Sequence, residues 1–259
     1  LRRQGGGRYV TAPDSWQESA AAFGALAGSG VLAGSGVLAG PAAFTPALRP
    51  REARAVLALG TPLADGPRGL ALPARGDGAD RPFHVQADAI ATPTAARADR
   101  WLPARPGSEA PLALAIAHVL VHESPTDAVR ALAAAGDDHE GSFAGLVAEF
   151  APERVAATCG LAPADIRATA HELASRRPAL VLGVGDPGAG PLGPEEEAAV
   201  WCLNLLLGGA EAAAPLALRP SPAALLDGID GDGSADAAPL PPAESLHDVP
   251  DGSLELLLV

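Results

Sequence analysis

Three spacings in this sequence match arrangements that can do chemistry. Gly183-Val184-Gly185-Asp186-Pro187-Gly188 follows an apolar run, as a GxGxxG turn does where it meets a pyrophosphate at a helix N-terminus. Here Pro187 stands inside the loop, the next helix pattern begins several residues late, and no acid follows at the required strand end. A plain glycine-rich loop is the better reading, with dinucleotide binding by an independent enzyme as its rival. His118 and His122 fall four apart with Glu123 beside them. A zinc protease needs glutamate directly after the first histidine, and Val119 stands there. The run Asp227-Gly228-Ile229-Asp230-Gly231-Asp232-Gly233 has the look of a calcium loop but lacks the closing glutamate, so it reads as a solvated Asp/Gly loop.

The remaining nucleophiles and ligands add little. There are two cysteines, Cys159 and Cys202, too few for an iron–sulfur cluster, which usually takes four thiolates. Both sit in apolar, helical surroundings, where a free cysteine behaves as a small buried hydrophobe. No GxSxG elbow is present, and the six histidines are scattered. No catalytic residue and no metal ligand can be assigned.

The elements that would position any site are clearest from residue 54 onward. Ala55-Val56-Leu57-Ala58-Leu59 is an apolar run ending at Gly60-Thr61-Pro62, the pattern of a buried strand and its exit loop. Phe83 to Gln86 is a second strand ending at Ala87-Asp88, and Arg100 to Pro103 a short extended piece. Pro111 opens a helix with Leu112, Ile116, Val119 and Leu120 at i, i+4, i+7 and i+8. Residues 124–150 read as an acidic connection with one helix, Thr126 to Ala135. Ala162-Pro163 starts a helix with Ile166, Ala170 and Leu173 on one face, which Pro178 stops before the strand 179–184. Pro194 and Glu195 to Glu197 begin the strongest helix, with Val200, Leu203 and Leu207 inward and Gly208-Gly209 to finish.

Residues 1–50 are weakly patterned, with a short helix near 20–26 and a repeat of Ala-Gly-Ser-Gly-Val-Leu at 27–32 and 33–38. Residues 64–80 and 210–250 are loop-rich, and a strand closes the chain at 256–259. Strands separated by helices predict an α/β fold of two Rossmann-like units, parallel sheets flanked by helices. The first unit spans 1–150 and the second 151–259.

Composition narrows the partners. The net charge is −13 and every basic side chain is arginine, so the surface repels phosphate backbones and anionic membranes alike. No run approaches the roughly 18 apolar residues a membrane helix needs, which argues against direct insertion. Hydrophobic residues make up 48% but aromatics only 3%, so the core must be built from Leu, Val and Ala. The chain holds no methionine and stops on an apolar run, and it reads as an internal piece of a longer protein, the second unit cut short.

Residues 83–109 resemble a hallmark stretch of the molybdopterin oxidoreductases. Asp88, Thr92 and Thr94, then Ala98-Asp99, then Pro106-Gly107-Ser108-Glu109 follow the family's order of Asp-Pro-Arg, threonines, Ala-Asp and a Pro-Gly-Thr-Asp turn opening an Ala/Leu helix. Val56 to Pro62 is similar to the strand and loop that approach the pterin nucleotide. Phe150 to Ala170 resembles the lead into the second α/β domain, and Leu203-Asn204 to Gly208 its Leu-Asn-x-Leu-x-Gly helix end.

The resemblance implies a large-subunit protein working beside an iron–sulfur electron-transfer subunit or domain. Bis-molybdopterin guanine dinucleotide would be held by the full-length protein, with Gly60, Thr61, Pro62, Asp88, Pro106, Gly107, Ser108 and Glu109 as cofactor-binding residues. Asp88 would read the guanosine end, and Ser108 and Glu109 would supply a hydroxyl and a carboxylate nearby.

Two departures matter. Ala89 and Ile90 replace proline and arginine after Asp88, removing a cation from a diphosphate neighbourhood, and no cysteine-rich segment is present. Such losses resemble the cofactor-free scaffold subunits of alternative complex III and the menaquinone reductase group. That placement implies quinone-reactive membrane subunits as partners and a membrane-associated complex, on its periplasmic side. A module that only holds partner subunits, binding no small molecule, is the rival from another class.

Overall fold

The computed structural model describes residues 10–11, 44–64, 81–126, 129, 143–183, 194–208, 216–220 and 244–245. The glycine repeat, most of the 64–80 loop, the Gly185–Gly188 turn, the Asp227–Gly233 run, the short helix near 20–26, most of the helix from Thr126 and the closing strand lie outside the described residues.

In chain order the elements are β1 (Val10–Thr11), β2 (Phe44–Leu48), a 3₁₀ turn (Pro50–Glu52), β3 (Ala55–Leu59), β4 (Phe83–Ala87), α1 (Pro93–Arg97) and β5 (Arg100–Leu102). Then come α2 (Glu109–His118), a π turn (Val119–Glu123), α3 (Phe143–Ala148), α4 (Pro152–Cys159) and α5 (Pro163–Ser175). The series closes with β6 (Ala179–Leu182), α6 (Pro194–Leu206), β7 (Leu216–Pro220) and β8 (Glu244–Ser245).

The expected α/β architecture is present. Four parallel strands run in the order β5-β4-β3-β6, flanked by helices. Their alternate residues bury both faces, as parallel sheets require. Ala55, Leu57, Leu59, Val85, Ala87, Ala179 and Val181 share one core with Leu112, Ile116, Ile166, Leu173 and Leu203 of the helices. Val56, Ala58, Leu180 and Leu182 join Ala53 and Leu63 on the other side. The sheet takes β3 from the stretch before residue 150 and β6 from the stretch after it, with Leu57 opposite Val181.

Helix α2 is apolar all round and is accordingly buried, its Leu112, Ala113, Ala115, Ile116 and Ala117 withdrawn from solvent. It begins at Glu109, two residues before the expected start, because a proline in the first turn gives up only an N–H that has no helical partner there. Two pairings were not anticipated: β2 lies antiparallel to β7, and β1 parallel to β8. Helix α3 falls where a polar connection was expected.

At the outer edge of the sheet, Val181 would leave both its backbone groups without a strand partner. Asn204 of α6 supplies one. The Val181 N–H donates to Asn204 Oδ1 at 2.7 Å, and Asn204 Nδ2 donates to the Val181 carbonyl at 2.8 Å and to the Val200 carbonyl at 3.2 Å.

Candidate functional site

Parallel strands of an open sheet point their carboxyl ends at a common crevice, where such folds place their ligands. Here β3 ends at Gly60 and β4 at Asp88, side by side. The Gly60 N–H donates to the Ala87 carbonyl at 2.8 Å, and a φ of 71° at Gly60 turns the chain out of the sheet. The third wall is the turn that enters α2. Pro106 at its second position and Gly107 with φ 75° at its third are the residues a type II turn demands, closed by the Ser108 N–H on the Arg105 carbonyl at 3.2 Å.

Together these walls frame a shallow open cleft lined by Leu59, Gly60, Ala87, Asp88, Ala89, Ala104, Pro106, Glu109 and Leu112. Four of the eight sequence-predicted residues, Gly60, Asp88, Pro106 and Glu109, therefore meet in one place. The other four do not line it. Thr61 donates its hydroxyl to the Gly183 carbonyl at 2.5 Å and accepts the Gln86 amide on its own carbonyl at 3.3 Å, tying the ends of β3, β4 and β6 together. Pro62 continues that loop. Gly107 shapes the turn. Ser108 is 1% exposed and its hydroxyl donates to the Arg105 carbonyl at 2.6 Å, so it serves its own turn instead of offering a hydroxyl to the cleft.

Asp88 is held on three sides. Its N–H donates to Leu102, its carbonyl accepts the Trp101 indole at 3.0 Å, and one carboxylate oxygen accepts the Thr92 hydroxyl at 3.2 Å. Thr92 also caps α1, accepting the Ala95 N–H at 3.1 Å with Pro93 in the first turn. The second Asp88 oxygen and the Glu109 carboxylate have no partner among the described residues. Glu109 opens α2, where the positive end of the helix dipole favours a carboxylate. The cleft thus presents two acceptors over an apolar floor and, among the described lining residues, no cation.

The turn is clasped from behind by the end of α4. The Arg105 N–H donates to the Cys159 carbonyl at 2.9 Å, and its guanidinium donates to the Ala157 carbonyl at 2.7 Å, a cation at a helix C-terminus. The Cys159 thiol points back at the Ser108 carbonyl, 3.9 Å away, and burial pushes that thiol up. Gly160 ends α4 with φ 70°, and a Cβ there would stand 3.0 Å from Arg105 Cγ. Sequence reasoning missed this clasp, which joins residues more than fifty positions apart and leaves no local signal. The Thr92 cap did carry one, in the pairing of threonine with a following proline.

The other motifs do not assemble into sites. His118 Nδ1 lies 2.9 Å from the Val147 carbonyl and His122 Nε2 3.1 Å from that of Ala144, holding α3 in place. Among the described residues no group of three or more His, Cys, Asp or Glu is placed to hold a metal ion, and no helix is long and apolar enough to cross a membrane. Cys202 is buried, its thiol pushed up to about 12 by desolvation.

No family model matches the chain. Over 146 residues, 54% of its length, it is 35% identical to the menaquinone reductase, molybdopterin-binding-like subunit of Nitratidesulfovibrio vulgaris (strain Hildenborough). The chain spans 20% of that relative's length. The solved structure of acetylene hydratase from Pelobacter acetylenicus overlaps 76% of the chain and 26% of its own, at 18% identity and a TM-score of 0.48. The resemblance to the molybdopterin oxidoreductases, and to the menaquinone reductase group among them, is met by the curated relative.

Proposed function

We propose that this chain is part of a molybdopterin-oxidoreductase-type large subunit that takes part in electron transfer beside an iron–sulfur partner, in a quinone-linked complex at a membrane, on its periplasmic side. The observation that carries the reading is the meeting of Gly60, Asp88, Pro106 and Glu109 at the carboxyl ends of parallel strands. The curated relative, named as a subunit of a menaquinone reductase, supplies the quinone link.

A pterin guanine dinucleotide presents N–H donors on its base and a diphosphate between its halves. Asp88 and Glu109 offer acceptors that suit the base. The diphosphate finds no cation among the described lining residues, and Ala89-Ile90 stand where the family carries proline and arginine. The base end fits and the diphosphate does not.

That second fact favours a second reading, in which the fold persists as a cofactor-free scaffold. Purifying the full-length protein with its partners and assaying molybdenum, pterin and iron separates the two. Molybdenum and pterin at one equivalent, with an iron–sulfur protein, support the oxidoreductase. Iron–sulfur and quinone-reactive partners with neither molybdenum nor pterin establish the scaffold. A protein lacking all of them overturns both.

A further inference from the structure

The arginines whose side chains are described are either held by a carboxylate or a carbonyl or left in water, with one exception. Arg81 meets Asp99, Arg100 meets Asp165 and Arg176 meets Glu172, while Arg54 and Arg97 lie exposed. The exception is Arg177, just before β6, at the amino end of the sheet and so at the far end from the cleft. Its Nη1 donates to the Thr126 hydroxyl oxygen at 3.3 Å, which tethers the guanidinium by one corner. Its Nε and Nη2 are shielded from solvent and have no hydrogen-bond partner among the described residues.

A guanidinium does not escape such a place by losing its proton, as a buried lysine can. Burial pushes Arg177 below the ordinary arginine value, and no neighbouring carboxylate pushes it back. A shielded cation with two unmet donors is costly until an anion completes it. The two unmet nitrogens lie on one edge of the guanidinium, where their N–H bonds run parallel. That edge fits two oxygens of a single carboxylate or phosphate group, and fits a spherical ion poorly. The Thr126 oxygen already accepts twice, from Arg177 and from the Val129 N–H at 3.3 Å, so its own proton is left to donate.

We propose that Arg177 and Thr126 form a site for a small soluble oxyanion, a carboxylate or phosphate group gripped by Nε–H and Nη2–H. The closed surroundings of the two nitrogens select a small ion, while half-buried Arg177 and exposed Thr126 put the site at the rim of the fold. A bound ion would tie the start of β6 to the segment that leaves the π turn after α2. The site is separate from the cleft and does not rest on any cofactor.

The test follows amide exchange across β6 in the full-length protein by mass spectrometry, in rising inorganic phosphate or acetate with chloride holding the ionic strength constant. The expected result is a saturable slowing, about tenfold at roughly ten times the half-saturating concentration. Whichever of phosphate and acetate saturates at the lower concentration identifies the preferred group. Arg177→Gln is expected to abolish the slowing, and Arg177→Lys, which keeps the charge without the fork, to raise the half-saturating concentration about tenfold. Arg54→Gln, which removes an exposed cation beside the neighbouring strand, is expected to change nothing. No slowing in the parent, as when an ordered water fills the place, or equal slowing in Arg177→Gln, as a general salt effect gives, would overturn the proposal. Should Arg177→Gln fail to fold, an unchanged half-saturation in both Arg177→Lys and Thr126→Val would overturn it equally.

Discussion

Replacing Asn204 by leucine tests the account of the closed sheet edge. Both Asn204 and Val181 are 1% exposed, so water cannot take over the bonds that are lost. The change removes the acceptor at 2.7 Å from the Val181 N–H and the donor at 2.8 Å from its carbonyl. A buried backbone group left unpaired costs about 1–3 kcal/mol, so the two together cost about 2–6. Leucine shares the branched shape of asparagine but is bulkier, so the roughly 1–2 kcal/mol that its apolar burial gains is largely cancelled by overpacking. The net expectation for Asn204→Leu is a loss of about 2–6 kcal/mol, read from urea melts with an unchanged slope and from faster amide exchange at Val181. Asn204→Asp sharpens the test. It keeps the acceptor for the N–H but turns a carboxylate toward the Val181 and Val200 carbonyls, so its penalty exceeds that of leucine at pH 7. The penalty eases on acidification, because a protonated carboxyl can donate to the Val181 carbonyl as the amide did. A leucine variant within about 0.5 kcal/mol of the parent, or an aspartate variant indifferent to pH, would refute the edge-closing role.

Further expectations concern other parts of the core. His84 is buried against Gln86 at 3.1 Å, and desolvation holds its pKa below the ordinary histidine value, so the folded state favours the neutral ring. Its contribution is therefore intact above the unfolded pKa of about 6.5 and is lost as pH falls below that; the drop in Tm between pH 7 and 5 should shrink in His84→Gln. Cys202, with its thiol raised to about 12, and buried Cys159 should both resist iodoacetamide at pH 8 until the chain unfolds, as mass spectrometry would show. Gly160→Ala combines a φ of 70° with a Cβ 3.0 Å from Arg105 Cγ, whereas Gly107→Ala meets the same backbone strain in open space. Both should lose about 1–2 kcal/mol from strain in denaturant melts, and Gly160→Ala should lose more.

The parts of the fold that could be read in the sequence are those written locally. Ala55–Leu59 is a short apolar run ended by Gly60, Phe83–Ala87 a short strand of alternating apolar and polar residues ended by Asp88, and Pro194 with the acids after it marks a helix start; all three appear where the pattern places them. What escaped depends on distant partners. β2 finds β7 across about 170 residues, and neither run carries a strong alternation of its own. The polar stretch before residue 150 hides α3, whose place is set by two histidine rings on its carbonyls. The same division runs through the cleft. Gly60, Asp88, Pro106 and Glu109 carry local turn and strand-end signals and come together. Ser108 had a hydroxyl to offer, but only the closed turn shows that Arg105 takes it.

The pairing of Leu57 with Val181 has a consequence for how the chain comes off the ribosome. β3 can pair with β4 as soon as the next thirty or so residues have emerged, but its other flank stays bare until β6 is made. At about 5–20 residues per second the 120-odd residues in between take roughly 6–24 s. Throughout that interval one side of Ala55–Leu59, a wholly apolar strand, is open to any other nascent chain, which makes it the segment where a chaperone would do most to protect this protein.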